Sequence, residues 1–523
     1  MTDPDSDPPK RPRTAVVLLL TGALLAGTLL RLHVYLDLRS LWLDEAMLAV
    51  NILGRTPAEL LTPLELNQAA PPGFLMAIKF CVVVFGKSEY VLRAVPLACG
   101  LLLLPTVYFG IVPLSRRGAL VATWMTALNP TLIYYSNEVK QYSGDALATA
   151  LLLALSIRSF SPGNRGRVSA AAITGAALLP WFSHPSIFLI VALGTTMIVS
   201  SVSAGDRWMR RAGMTVLVAG LLSFSLEYFL VVRFQVRNPV LVDYWSYAFP
   251  PVAKGAFALL KWGAATFGSF IKQLAGSSSR MIAAAVGVVA IAGLVRIWRC
   301  QQWLAVLIAM AVVEVLSAAA IHVYPLAGRL MLFLSPVGSM AVASGIMGLG
   351  SWFPRHGKAL VCAAAALLVA IPLPTLVSDL RAPERRQIEN IRAVLNYVNQ
   401  SRNAADRIYV YRGAAPAFRY YADHRSLCQF VSGITYGQTV KGDHESYQKD
   451  ITKLADERGR VWLVFTHIWK PPDNEKDEFD DLTGIADELG TMVDRFEAGP
   501  ATTVEGNTER RPAIVVLYDF GPT

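Results

Sequence analysis

Long runs of apolar residues fill the first 376 positions of the chain and are separated by short polar connections. A helix needs about 20 mostly apolar residues to cross the hydrocarbon core of a bilayer. The pattern therefore predicts a polytopic α-helical membrane protein with about 11 transmembrane helices. The predicted spans are 15–36, 90–113, 118–134, 143–157, 168–183, 185–202, 213–232, 281–297, 303–321, 329–349 and 358–376.

Other apolar runs are too short or too polar for a clear crossing. Residues 71–86 contain Lys79 and favour a half-embedded or juxtamembrane helix, with a full span as the open alternative. Amphipathic helices are expected near 43–53 and 57–67. Residues 252–270 are mildly apolar and accompanied by three lysines, which favours a helix lying at the membrane surface over a further weak span.

The distribution of basic residues predicts the orientation of these spans. With eleven crossings, the N-terminal tail and the short inner connections hold 15 basic and four acidic side chains. Cytoplasmic loops are enriched in Lys and Arg, so we expect a multi-pass protein of the plasma (inner) membrane with its N-terminus in the cytoplasm. The first apolar run resembles a signal peptide, but its length and the lack of a small-residue cleavage site favour a retained helix.

The pattern changes after residue 376. Short apolar runs of strand type at 407–411, 461–466 and 513–520 alternate with helical patterns at 384–402, 444–458 and 474–489, which predicts a soluble α/β domain. We therefore divide the chain into a disordered cytoplasmic tail, a membrane domain whose first outer loop is 37–89, and an extracytoplasmic domain. Their bounds are 1–14, 15–376 and 377–523.

Composition agrees with this division. Charged residues make up only 16% of the chain, against about 25% in soluble domains. The net charge of +10 is uneven, because residues 377–523 carry −4 and the remainder carries +14. Positive charge beside membrane spans reports topology, so we expect membrane lipids and no nucleic acid as partners. The five cysteines show no CxxC spacing and imply no disulfide framework.

One polar stretch of the first outer loop carries candidate chemistry. Residues 40–46, Ser-Leu-Trp-Leu-Asp-Glu-Ala, place Asp44 and Glu45 beside Trp42, and we call them the acidic motif. Tryptophan commonly marks the headgroup level of a membrane, so these carboxylates would meet a lipid headgroup and a soluble molecule together. The alternative is a solvated start of a surface helix, since acidic residues suit a helix N-terminus.

Five segments in order resemble the GT-C glycosyltransferases, specifically the protein O-mannosyltransferase and aminoarabinose-transferase-like branch. In the second segment Gly73 replaces the usual Leu, and in the fourth Lys140 replaces the usual Arg. Together they cover residues 31–190, and the rest of the chain resembles the family only in its hydropathy pattern. The segments are Ser40–Ala46, Ala70-Pro-Pro-Gly-Phe74, Phe85-Gly-Lys-Ser-Glu-Tyr-Val-Leu-Arg-Ala-Val-Pro96, Asn129-Pro with Tyr134-Tyr-Ser-Asn-Glu-Val-Lys-Gln-Tyr-Ser143, and Ser183-His184.

The resemblance implies a GT-C-like membrane domain and a polyprenyl-phosphate-linked sugar as donor. It also implies transfer on the outer face, with inversion at the anomeric carbon, to a protein, lipid or glycan acceptor. Such a reaction needs a base for the acceptor hydroxyl and cations for the leaving phosphate. Asp44 is assigned as the general base, and Glu45 would orient the acceptor or bind a nearby cation.

Six more residues are substrate-binding candidates. Arg93 and Lys140 are candidate phosphate ligands, with snorkelling to headgroups as the alternative. Glu138 would pair with Lys140 or contact the acceptor. Tyr142 would donate to a phosphate oxygen or belong to an interfacial aromatic belt. His184 has a structural alternative, and Arg329 lies where the family often has a phosphate-binding Arg.

A metal ion is left open by the sequence. The first loop has no Asp-x-Asp, unlike the metal-dependent oligosaccharyltransferase branch, so no obligatory cofactor is expected. Asp44, Glu45 and Glu138 would share a divalent ion if they converge.

Two other functions remain open. A lipid-linked-sugar transporter or flippase would also have many spans, but transporters place polar groups near the bilayer midplane in repeated or broken helices. Here the charges gather toward one face. A non-catalytic envelope scaffold is the second alternative, although the presence of Asp44, Glu45, Arg93 and Glu138 argues against it.

Overall fold

A computed structural model provides the fold of most of the chain. It describes residues 12–161, 165–353, 355–383, 389–424, 433–437, 442–471, 476–499, 502–504 and 508–522. Most of the expected N-terminal tail, and the beginning of the helix expected at 384–402, lie outside the described residues.

Each of the predicted spans is helical in the structure. The first helix, α1, begins at Pro12 and ends at Leu36. The others before the C-terminal region are α2 Leu43–Gly54, α3 Pro72–Phe85, α4 Glu89–Ile111, α5 Arg116–Leu128, α6 Pro130–Tyr135, α7 Tyr142–Ser159, α8 Arg165–Leu178, α9 Ser186–Ala204, α10 Arg207–Glu227, α11 Arg233–Val236, α12 Pro239–Tyr244, α13 Ala256–Ala275, α14 Arg280–Cys300, α15 Gln302–Ala320, α16 Ser335–Trp352, α17 Gly357–Ala370 and α18 Leu373–Arg381.

Seven helical segments of the described chain are long and apolar enough to cross a membrane. The expected polytopic helical membrane class is therefore confirmed, whereas the count of eleven spans stays a prediction. The four remaining predicted spans, 118–134, 143–157, 168–183 and 185–202, form shorter or less apolar helices. The seven segments are Thr14–Leu36, Glu89–Ile111, Arg207–Val236, Arg280–Cys300, Gln302–Ala320, Gly328–Ser351 and Gly357–Arg381.

The first outer loop departs from expectation in one place. The prediction of a helix near 57–67 is wrong, because only a single 3₁₀ turn forms there, at Glu59–Leu61. Pro63 explains the difference, since proline lacks an amide donor and disfavours helical backbone in the residue before it. The helix expected near 43–53 is present as α2, and α3 spans only 14 residues, which suits the predicted juxtamembrane helix.

The chain divides into two compact units. The first unit, called the membrane unit, comprises residues 1–36, 57–80 and 93–377, and its apolar core joins α4, α5, α7, α9, α15 and α16. The segment ending in α16 is mostly buried in this core, whereas α1 and α17 expose most of their apolar surface. The second unit, called the tail unit, joins residues 378–523 to residues 37–56 and 81–92 of the first loop.

The tail unit contains an open five-stranded sheet in the order β2-β1-β3-β7-β4. Strand β1 is parallel to β2 and β3, whereas β7 is antiparallel to β3 and β4. A separate hairpin joins β5 and β6. The elements are α19 Ile391–Ser401, β1 Arg407–Val410, α20 Ala415–Arg419, β2 Ile434–Tyr436, α21 His444–Asp456, β3 Arg460–Phe465, α22 Glu478–Leu489, β4 Thr491–Ala498, β5 Thr502–Val504, β6 Thr508–Arg510 and β7 Ala513–Asp519.

Alternation along the central strands gives the sheet two apolar faces. Val461, Leu463 and Phe465 of β3 pack with α21 and α22 on one face. The intervening Trp462 lies on the opposite face, where its ring contacts Tyr397 of α19. The three predicted strands are therefore present as β1, β3 and β7, and the predicted α/β class of this region is confirmed.

Candidate active site

The acidic motif begins helix α2. Trp42 has extended backbone and precedes the first helical residue, so Asp44 and Glu45 occupy the first turn, where a helix favours negative charge. Glu45 is fully buried and lies 3.6 Å from the Arg39 guanidinium, whereas Asp44 is partly exposed. Arg39 is thus a cation beside Glu45, and Asp44 is the less buried residue of the two.

Backbone amides and a hydroxyl of the motif bind residues of the C-terminal region in the same unit. The Leu43 amide donates to Glu389 Oε2 at 3.0 Å, and the Leu41 amide donates to the Tyr421 hydroxyl at 2.9 Å. Ser40 Oγ donates to Asn390 Oδ1 at 2.9 Å. Three contacts within residues 40–43 therefore fix the path of the chain into α2.

Glu389 and Arg392 extend this set of contacts. Glu389 is buried, and its second carboxylate oxygen lies 2.7 Å from Nδ1 of His467. Arg392 donates to the Leu38 carbonyl and lies 3.6 Å from Glu89, a residue of the third family-like segment. None of these C-terminal residues was predicted, because nothing in the local sequence signals a contact across some 350 positions.

In the membrane unit, Lys140 of the fourth family-like segment contacts a residue just before the second segment. Its ammonium group donates to Gln68 Oε1 at 2.7 Å, and the Lys140 side chain is almost fully buried. Gln68 precedes the second segment, whose Gly73 departs from the usual Leu. A Cβ at Gly73 would lie 2.6 Å from the Trp181 carbonyl oxygen, so only glycine permits this close approach.

Arg329 lies between two aromatic rings. Its guanidinium carbon is 5.7 Å from the ring centre of Tyr142 and 5.7 Å from that of Trp245. Tyr135 contacts the Tyr142 ring edge-on and interacts electrostatically with both Glu138 and Arg329. The structure thus brings three predicted residues, Glu138, Tyr142 and Arg329, around Tyr135.

His184 pairs with a buried carboxylate. Its Nε2 lies 3.1 Å from Oε1 of Glu227, which is fully buried at the end of α10. Asp145 of α7 is also buried and interacts electrostatically with His184. Glu227 and Asp145 were not singled out from the sequence, although acidic residues inside membrane segments are themselves a signal for function.

Arg93 is the remaining predicted residue, and it lies 2% exposed in α4. The six substrate-binding candidates thus belong to the membrane unit, whereas Asp44 and Glu45 belong to the tail unit. The part of the chain that the structure describes contains no group of three His, Cys, Asp or Glu side chains arranged to hold a metal ion. The divalent ion that was left open stays a prediction.

Comparison with solved structures identifies the fold. An oligosaccharyltransferase from Archaeoglobus fulgidus, crystallised with zinc and sulfate, superposes with a TM-score of 0.51 at 13% identity over 85% of this chain and 67% of the other. The chain has the GT-C glycosyltransferase fold. The GT-C-like architecture expected from the sequence is thereby confirmed.

Two further GT-C structures match 98% of the chain. ArnT from Cupriavidus metallidurans, bound to undecaprenyl phosphate, is 13% identical, is covered over its full length and gives a TM-score of 0.44. The arabinofuranosyltransferase AftD from Mycobacteria is 14% identical, is covered over 40% of its length and gives a TM-score of 0.46. No protein-family model and no curated protein matches the sequence.

Proposed function

We propose that this protein is an inverting glycosyltransferase that moves a sugar from a polyprenyl-phosphate carrier to an acceptor hydroxyl on the outer face of the membrane. The observation that carries the proposal is the cluster in which Arg329 lies beside the Tyr142 ring and Tyr142 contacts Tyr135, in a chain with the GT-C fold. A cation, a carboxylate and phenol groups beside apolar helices suit a ligand that is both anionic and lipid-linked.

The acidic motif supplies the base in this proposal. Attack by the acceptor oxygen forms a bond to the anomeric carbon as the bond from that carbon to the phosphate oxygen breaks. The phosphate leaves with the bonding electron pair, and the Asp44 carboxylate takes the hydroxyl proton. Partial exposure favours Asp44 over the buried, ion-paired Glu45 in this role. A positioned base typically contributes about 10²–10⁴-fold to the rate.

Cations of the membrane unit stabilise the leaving phosphate. The planar guanidinium of Arg329 lies near two rings, which restrict the conformations from which it would bind an anion. Lys140 and Arg93 add positive charge in surroundings of low dielectric constant, where it acts more strongly than in water. No step of the proposal passes through a metal ion.

The deciding experiment measures sugar transfer by purified protein in nanodiscs. Wild type and Asp44→Asn are supplied with a panel of radiolabelled polyprenyl-phosphate sugars, with water or envelope extract as acceptor. Asp456→Asn, a change of an exposed acid in α21, is the matched control. We expect wild type and the control to turn over one donor, and Asp44→Asn to lose at least about 10²-fold in rate while still binding that donor.

Other outcomes favour the alternatives. Movement of the lipid across the bilayer without sugar release, undiminished by Asp44→Asn, would indicate a flippase. Lipid binding by both proteins with neither transfer nor movement would indicate a scaffold.

A further inference from the structure

The tail unit has the topology of a ligand-binding α/β domain. Its parallel strands β2, β1 and β3 lie in the order 2-1-3, so the chain leaves β1 toward one side of the sheet and β3 toward the other. In open α/β sheets such a switch point opens a crevice at the carboxyl ends of the strands, and ligands usually bind there.

Here the carboxyl ends of β1 and β3 lie against each other. A Cβ on Gly413, which follows β1, would be 2.7 Å from the carbonyl oxygens of Thr466 and His467, which follow β3. Glycine is therefore required at this position. His467 follows β3 at this edge.

The segment that binds at this edge is part of the chain itself. Tyr421 accepts from the Leu41 amide, and His467 holds Glu389, which accepts from the Leu43 amide. Helix α2 also packs against α20. The acidic motif is thus joined, through Glu389, to His467 at the carboxyl edge of the sheet.

Glu389 is the centre of this arrangement. Its carboxylate accepts the first amide of α2, where the positive end of a helix strengthens a hydrogen bond to an anion. Its other oxygen is fixed by His467, and the side chain is only 3% exposed. Asp44 is the next residue after Leu43. The hydrogen bond from the Leu43 amide to Glu389 therefore fixes the first turn of α2, in which Asp44 lies.

We propose that the C-terminal domain serves to hold the acidic motif in its reactive geometry, with Glu389 as the positioning residue. The expected effect on catalysis rests on the proposed function. The expected effect on the position of the acidic motif rests only on the contacts described above. It gives the domain a role different from acceptor binding.

The test compares Glu389→Ala with Glu389→Gln and with Glu457→Ala in the full-length protein. Gln keeps an oxygen that can accept from the Leu43 amide. Glu457 pairs with Arg407 on the surface of the same unit, far in sequence from the motif, and is the control. Hydrogen exchange of the amides at 41–46, the rate of transfer, the KM for the donor and the thermal unfolding midpoint are measured for each.

We expect Glu389→Ala to raise exchange at 41–46 and to lower kcat by about 10²-fold, the cost of a misplacement near 1 Å. The donor KM should change less than about threefold, since the phosphate ligands lie elsewhere. Glu389→Gln should recover most of kcat, and Glu457→Ala should leave both exchange and kcat unchanged.

Unchanged exchange at 41–46 in Glu389→Ala would overturn the inference, whether or not wild type is an active transferase. A rise in exchange with a fall in kcat no larger than that of Glu457→Ala would overturn it as well. If wild type transfers no sugar from any donor, the proposed function fails, and the exchange result still decides whether Glu389 holds the motif.

Discussion

At the scale of single residues, Arg329 shows how the chain fixes a long cationic side chain. Two rings, Tyr142 and Trp245, lie at equal distance from its guanidinium carbon. Such contacts restrict the side-chain conformations of the arginine before an anion binds, so less conformational entropy is lost on binding. They depend on the flat, delocalised charge of the guanidinium. Lysine at this position would keep the positive charge but lose the planar, forked arrangement of N–H donors.

We therefore expect Arg329→Lys to lower the rate of transfer by about 10²-fold, the usual effect of removing one donor to a developing anion. The donor KM should rise less than kcat falls. Arg299→Lys, at an exposed position near the end of α14, is the control and should be neutral. A fully active Arg329→Lys would show that a positive charge alone suffices and that the forked N–H donors of arginine are not needed for transfer.

The acidic motif was recognisable from the sequence because adjacent carboxylates beside tryptophan are unusual in an apolar chain. Its partners Glu389 and His467 were not. Each is an ordinary polar residue in its own segment, and its contacts with the motif or with the residues that bind it form only in the folded chain. Local patterns thus located the candidate chemistry but could not locate what holds it.

At the scale of elements, periodicity predicted the buried strands and missed the others. Strand β3 is apolar along most of its length, whereas β4 lies at a sheet edge and exposes alternate residues, Arg495 and Glu497 among them. Strand β2 has only three residues, too few for a period to be recognised. The helix expected near 57–67 was wrong because the apolar spacing of that segment is helical in pattern, whereas Pro63 interrupts the backbone that the pattern would need.

The beginning of α22 is bound to the end of β1 through Glu478, which is fully buried. Its carboxylate accepts from the hydroxyls of Tyr411 and Tyr447 and from the Gly442 amide, and it pairs with Arg412. Burial raises the pKa of Tyr447 to about 12, so its hydroxyl stays protonated and donates at neutral pH. One carboxylate thus joins a strand, a loop and a helix.

We expect Glu478→Gln to lower the local free energy of unfolding around β1 and α22 by about 3 kcal/mol, because it leaves the largely buried Arg412 without its counter-charge. Hydrogen exchange of the amides in these elements, measured on the full-length protein, gives that value. Glu457→Gln breaks an exposed ion pair and should cost less than about 1 kcal/mol. Equal effects of the two changes would contradict the role given to Glu478.

At the scale of the whole molecule, the proposed chemistry depends on orientation in the membrane. The positive-inside pattern predicts that reporter fusions at residue 14 report from the cytoplasm and fusions at residue 380 from the outer compartment. A fusion at Gln301, between α14 and α15, is an internal control and should report from the cytoplasm. Reporters at 14 and 380 on the same side would rule out an odd number of spans.

The contact between Leu43 and Glu389 also orders events during synthesis. The two residues are 346 positions apart, and ribosomes add about 5–20 residues per second. Roughly 15–70 s therefore pass between the translation of the acidic motif and that of the residue that holds it. A nascent chain already inserted in the bilayer has its carboxylates but lacks their support, so the motif cannot take its final position until translation has passed Glu389.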